Sequence, residues 1–425
     1  MADLQNILKT RSAAPKIARH LSAVIARDLQ DIDAVFINGA RQTGKSTFVE
    51  TFGRRYSPVL YASLDDISLR SAEINSPGQT FARVTGGLII LDEVQRIPQS
   101  FLAIKAKIDE ARRQRQSIKF LLTGSADIAL FPQLAAALVG RMYVRTMQPF
   151  SAAELLRKPG SFLERLFSAD FPPLKTLPRH SAAEMISRAT FPGLSLNVEN
   201  KTAWCQNYIS TLLERDVKNL AEVNKPAELT ALLNLLANRV GGLLNDTSLA
   251  SAAKLTLSTC RRYRALFENV FLTALLPPWH KTLAKRFVKA PKIYFTDTLL
   301  LCHLLGLRPQ EAAQKRPDIY GFILENFVFT ELKKLLSLSD EYTLYHFRTQ
   351  DQKEIDFLLE KRDGSLAAVE VKAALTVAPA DFKHLRLLQN TKNFACGVIL
   401  YQGRQILQID HNLFALPLAS LWGLD

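Results

Sequence analysis

Apolar residues in the first third of the chain come in short unbroken runs rather than in strict alternation. Ala34-Val35-Phe36-Ile37-Asn38, residues 59–64, Leu88-Ile89-Ile90-Leu91 and residues 119–123 each read as a strand buried on both faces. Helical spacing fills the gaps, as in residues 101–113. It also precedes the first run, where residues 4–30 place Ile17, Leu21, Val24 and Ile25 near one face. Strands alternating with helices predict an α/β domain built on a parallel sheet. Near Pro149 the pattern changes. Residues 151–240 are rich in Ala and Leu, lack strand alternation and read as mostly helical. Residues 226–295 read as helices followed by an apolar, basic hairpin, and from about Ile319 the order is helix, strand, strand, helix, strand. The expected segments are 1–150, 151–225, 226–300 and 301–425, with no internal repeat and no low-complexity stretch.

Composition narrows the class. With 425 residues, 48% of them hydrophobic, the chain can build several cores, two to four domains by length. No run of about 18 apolar residues marks a membrane helix, and the first six residues lack the basic-then-apolar pattern of a signal peptide. Cys205, Cys260, Cys302 and Cys396 are far apart with no CxxC, which favours neither a disulfide framework nor a zinc site and points to a reducing cytoplasm. A net charge of +14 favours a polyanionic partner, nucleic acid before a membrane surface. A basic protein that binds nucleotide alone is the alternative.

The first run of chemistry follows the first strand. Gly39-Ala40-Arg41-Gln42-Thr43-Gly44-Lys45-Ser46 fits GxxxxGK[ST] between a strand and a helix, and Thr47 follows it. The glycines let backbone N–H groups approach phosphate, the helix N-terminus favours negative charge, and Lys45 reaches the β and γ phosphates. Ser46 is the expected Mg²⁺ ligand. The strand at residues 88–91 ends in Asp92-Glu93, where Asp92 would hold the metal shell and Glu93 would activate the attacking water. That adjacent acid suits water better than transfer to a hydroxyl, which argues against a kinase. Thr123-Gly124-Ser125 closes the next strand; Ser125 is either a sensor of the γ-phosphate or a plain polar turn residue. Arg141, after the helical segment 134–139, is either an arginine finger for a neighbouring subunit or a structural ion-pair partner.

The stretches GARQTGKST, LDEVQRIPQSFLAIKAKID, LLTGSA and LVGRMYVRTMQPFSAAEL together resemble a prokaryotic AAA+-like ATPase family that carries a C-terminal domain of unknown function. The likeness continues through TFPG, YISTLLERDV, PKIYFTDT, GFILENFV and FRTQDQKEIDFLLE, and it implies ATP binding and hydrolysis. The family more often has Leu-Ala-Gly-Arg where this chain has LVGR, a change that leaves Arg141 in place.

Residues 229–295 resemble a winged helix, with 249–254 as the first helix of the pair and 258–269 as the recognition helix. Arg261, Arg262 and Arg264 on that helix, with Lys281, Lys285, Arg286, Lys289 and Lys292 in the hairpin, would contact DNA phosphates without reading sequence. A solvated face or a subunit interface is the other reading. In the last segment, Asp356 in one strand and Glu370-Val371-Lys372 in the next are similar to the PD-(D/E)xK nuclease core. There Asp356 and Glu370 would hold Mg²⁺ against the scissile phosphate and Lys372 would orient the water. Glu325 matches an extra helical acid of some nucleases in that superfamily. A nuclease-like fold that keeps the acids for stability, or that binds without cutting, stands beside this. The sequence therefore leads to a DNA-directed, homo-oligomeric ATPase, or to a nucleotide-dependent regulatory scaffold that binds a protein partner.

Overall fold

The computed structural model describes residues 17–127, 130, 132–172, 180–196, 198–217, 226–282, 286 and 289–423. Two compact units emerge, one of residues 1–149 with 269–271 and one of 150–268 with 272–425. Part of the expected first helix, residues 4–16, lies outside the described residues.

In the first unit, α1 (Leu21–Asp31) leads into β1 (Ala34–Asn38). After it come α2 (Lys45–Gly53), β2 (Val59–Ser63), α3 (Ile67–Asn75), β3 (Gly87–Asp92), α4 (Ser100–Gln114), β4 (Ile118–Thr123), α5 (Pro132–Ala137) and β5 (Met142–Thr146). The five strands form one parallel sheet in the order β2-β3-β4-β1-β5. Every residue of β1 is buried, as an unbroken apolar run in a doubly covered sheet requires. Ala34, Phe36, Ile89, Leu91, Phe120 and Leu122 share a core with Phe101, Ile104 and Ile108 of α4. The chain leaves β1 for the far edge and returns through β3 to β4, which pairs with both β3 and β1. The carboxyl ends of β1, β3 and β4 thereby meet where the winding reverses, the place where open α/β sheets bind ligands.

The second unit begins with short helices: α6 (Ala152–Leu155), α7 (Phe162–Ser168), α8 (Ala182–Arg188), α9 (Pro192–Leu196) and α10 (Lys201–Thr211). Next are α11 (Pro226–Ala237), α12 (Asp246–Ala253) and α13 (Leu257–Asn269), then the antiparallel pair β6 (Thr273–Leu276) and β7 (Lys292–Phe295). Leu243 bridges Lys292 beside β7. Following α14 (Thr298–Leu304) and α15 (Pro309–Lys315), the long helix α16 (Pro317–Leu336) is apolar nearly all round and mostly buried, as a core helix must be.

A six-stranded mixed sheet completes this unit. Its strands are β8 (Tyr342–Arg348), β9 (Glu354–Lys361), β10 (Leu366–Lys372), β11 (Phe394–Tyr401), β12 (Leu407–Asp410) and β13 (Leu413–Pro417), in the order β12-β13-β11-β10-β9-β8. Strands β8, β9 and β10 form an antiparallel meander, and the chain crosses over through the short helix α17 (Arg386–Gln389) to place β11 parallel to β10. This departs from the simpler order expected above. Strand β8 and the β12–β13 pair were not expected: β8 and β12 are edge strands with uneven burial and weak alternation, while β13 is buried throughout but is a short run ending at Pro417.

Candidate functional site

The turn between β1 and α2 has the backbone geometry a phosphate cradle requires. Gly39 has φ +143°, and a Cβ there would sit 2.4 Å from the Met147 carbonyl oxygen, so only glycine fits. Gln42 and Gly44 also take positive φ, the kind of backbone that anion-binding turns use. The Lys45 ammonium is buried and donates to the carbonyls of Gly39 at 2.8 Å and Ala40 at 2.9 Å, inside the loop a polyphosphate would enter. Burial lowers its pKa to about 8, while Glu93 and Asp92 oppose that drop. Thr43 donates to the Ala40 carbonyl at 2.9 Å, and the Arg19 guanidinium donates to the Thr43 carbonyl at 3.1 Å. Arg41 is half-buried, and Thr47 is exposed.

Asp92 and Glu93 close β3 beside this loop. The buried Asp92 carboxylate accepts from Ser46, from Thr123 and, at 3.3 Å, from the Tyr61 hydroxyl. Burial raises its pKa against those hydrogen bonds. Ser46 and Asp92 thus form a pair of hard oxygen donors of the kind Mg²⁺ takes. Glu93 has φ +59°, an uncommon conformation for a non-glycine residue. One carboxylate oxygen accepts from Ser125 at 2.5 Å and the other from Gln95, while its own N–H donates to Thr123 at 3.0 Å. Ser125 therefore reaches the acid that would activate water. Tyr61, Gln95, Thr123 and Arg19 were given no site role by the sequence reading. Thr123 alone had a signal, its place at a strand end before glycine.

Arg141 forms a two-pronged ion pair with Asp109 of α4 in the same chain, Nε to Oδ1 at 2.8 Å and Nη2 to Oδ2 at 3.2 Å. Of its two readings, this geometry supplies the partner that the structural one requires.

The second unit places its expected residues less simply. Arg261 and Arg262 are exposed on α13, but Arg261 and Arg264 each reach Asp246 at 3.0 Å, and Arg264 also bonds Glu268. Arg286, expected to face DNA, instead holds Glu360 in a fork at 2.6 and 3.0 Å, donates to Tyr345 and lies over the Trp279 ring. A guanidinium beside an acid and two aromatic faces is held there by charge and stacking. Lys285 lies outside the described residues.

Glu325 of α16, Asp356 of β9 and Glu370 of β10 do come together, with Glu354 as an unexpected fourth acid. Lys292, read from sequence as a hairpin residue contacting DNA phosphates, is 1% exposed and stands among them. Its Nζ lies 2.9 Å from Glu325, 2.5 Å from Glu354 and 3.7 Å from Asp356. Tyr294 donates to Glu325 at 2.5 Å, Arg348 to Glu354 at 3.0 Å, and the Val371 N–H to Asp356 at 2.9 Å. Burial, then Asp356, pushes the Glu325 carboxyl up against Lys292. Glu370 rises to about 8 through burial and the Asp356 charge; one oxygen is 3.3 Å from His384 Nδ1, and the other has no partner. Lys372 is half-buried and acts electrostatically on both Asp356 and Glu370. Among the described residues, no group of three or more His, Cys, Asp or Glu is set to hold a metal ion.

Comparison with known proteins divides the chain into three. Residues 31–156 match the AAA domain family, while residues 179–311 and 320–421 match two domains of unknown function, DUF8612 and DUF4143. Uncharacterized protein Rv2008c of Mycobacterium tuberculosis and uncharacterized protein Mb2031c of Mycobacterium bovis are each 27% identical over 400 residues, covering 94% of this chain and 83% of theirs. Among solved structures, the Walker-type ATPase PABY2304 of Pyrococcus abyssi is 13% identical with a TM-score of 0.41, covering 69% of this chain and 99% of that one. With the phosphate loop, Asp92 and Glu93 assembled at the carboxyl ends of a parallel sheet, residues 31–156 form an AAA-type P-loop domain, and the chain is an ATP hydrolase.

Proposed function

We propose that this chain is a Mg²⁺-dependent ATPase that works as a homo-oligomer on DNA, and that its C-terminal sheet is a nuclease-like module that binds without cutting. The carrying observation for turnover is the Glu93 carboxylate, poised beside the phosphate loop in a positive-φ turn between Ser125 and Gln95. Ser46 and Asp92 would hold Mg²⁺, which would supply charge neutralisation on the polyphosphate. Lys45 meets the β and γ phosphate oxygens, the Gly39–Ser46 backbone amides cradle them, and Glu93 orients a water and takes its proton.

The +14 charge and the exposed Arg261 and Arg262 support DNA as the polyanion. So does the order of three helices and a hairpin in α11, α12, α13, β6 and β7, which is that of a winged helix. The inward pairing of Arg264 and Arg286 favours a second reading, a nucleotide-dependent scaffold for a protein partner.

Two measurements test the proposal. Glu93→Gln should keep ATP binding and lose turnover, and Lys45→Ala should lose both; a Gln variant that turns over at the wild-type rate removes Glu93 as the base. DNA affinity should fall steeply with ionic strength and weaken in Arg261→Ala/Arg262→Ala. Binding indifferent to both salt and these arginines would transfer the role to the scaffold reading.

A further inference from the structure

We infer that the Lys292 ammonium is the resident cation of the acidic cluster on the C-terminal sheet, and that this cluster takes no divalent ion while β7 is seated. The inference rests on reading that sheet as a nuclease-like module, and it explains why such a module would bind without cutting.

Three carboxylates from two elements, Glu325 on α16 with Glu354 and Asp356 on β9, converge within 2.5–3.7 Å of one nitrogen. A divalent ion bridging Glu325 and Asp356 would need their oxygens at about 2.0–2.6 Å from a common point. Lys292 Nζ already lies 2.9 Å from a Glu325 oxygen and 3.7 Å from an Asp356 oxygen, and two cations cannot share that space. Further donors act on the same acids: Tyr294 shares Glu325 Oε1 with the lysine, Arg348 bonds Glu354 and the Val371 N–H bonds Asp356. Glu370 is 4% exposed and keeps one carboxylate oxygen without a partner, so the cluster retains an acceptor that the ammonium does not reach.

The lysine is held in place by more than charge. Its strand is tied to α16 through the Phe295 N–H, which donates at 2.8 Å to Asn326, the residue after Glu325. Tyr294 stacks on Phe329 of the same helix with ring centroids 4.3 Å apart. Hydrolysis of a phosphodiester at this site would need two carboxylates on a metal ion and a water activated by it. A fixed ammonium neutralises the acids but offers no open coordination position. The divalent centre expected from the sequence is thereby replaced by an internal ion pair.

Mn²⁺ binding to the full-length, nucleotide-free chain tests this, followed by electron paramagnetic resonance. Wild-type binding should be the same in Asp356→Asn. Lys292→Ala and the closer-fitting Lys292→Met should each gain one further Mn²⁺ per chain, and adding Asp356→Asn should weaken that ion roughly 10–100-fold. The inference is overturned if wild-type protein holds an Mn²⁺ that Asp356→Asn removes, or if a cooperatively folded Lys292→Met gains none. Should neither Lys292 variant fold, the wild-type comparison with Asp356→Asn decides alone. The readout is ion binding rather than ATP turnover, so its failure leaves the ATPase assignment untouched. DNA cleavage by the wild-type chain in Mg²⁺, lost in Asp356→Asn, would sink the non-cutting module as well.

Discussion

Glu93 and Glu370 show how one side-chain type meets different surroundings in one protein. Glu93 lies at a strand end, where the Ser125 hydroxyl and the Gln95 amide donate to its carboxylate. Glu370 lies in the interior of β10, with one oxygen unpartnered and Asp356 nearby, and its pKa stands at about 8 against an ordinary 4.5. The folded state therefore binds a proton at Glu370 that the unfolded chain releases between those values. Since the native state holds more protons there, stability falls as pH rises from about 4.5 to about 8. Glu370→Gln removes that titration. Denaturant unfolding of the variant across this window should show a shallower loss with pH than wild type, and parallel curves would mean that Glu370 is ionised in the fold.

At the scale of elements, α16 and β7 organise the second unit. Helix α16 presents Glu325 and Asn326 to β7, one to the lysine side chain and one to the backbone, while Phe329 packs on Tyr294. Phe329 is fully buried, so Phe329→Ala leaves a cavity beneath Tyr294 and should cost about 3–5 kcal/mol. Urea unfolding of the second unit would report this; a loss near zero would mean that β7 is held by its polar ties alone. The helix was legible in sequence because its apolar positions run all round. The seat of β7 was not. A lysine at the head of an apolar strand reads as solvent-facing until α16 and β9 close over it.

On the scale of the whole molecule, Arg141 bears on assembly. If it acts in trans, its pairing with Asp109 must open, and ATP turnover should rise with protein concentration. Arg141→Ala should then lose roughly 10³-fold in rate. Mixing Arg141→Ala with Lys45→Ala chains should restore part of the activity through one intact composite site. If the Asp109 pair is structural, turnover is independent of concentration and mixing restores nothing, while Arg141→Ala lowers the melting temperature. An ATPase assay on the mixed variants separates the two.

The sequence by itself determined the phosphate loop, the acids that follow β3 and the α/β class of the first unit. Those features are local: a glycine turn between strand and helix needs neighbours only a few residues away, and buried parallel strands announce themselves as apolar runs. It also marked Asp356, Glu370 and Glu325 as acids that converge. What the tertiary structure decided is which charge meets which. Ser125 reaching Glu93, Arg141 held by Asp109 and Arg286 turned to Glu360 are pairings across 32, 32 and 74 residues of chain. Lys292 meeting Glu325 spans 33. Electrostatic partners at such separations leave no periodicity to read. A charged side chain in sequence carries its sign but not its surroundings, and burial selects between a phosphate ligand and an internal counter-ion.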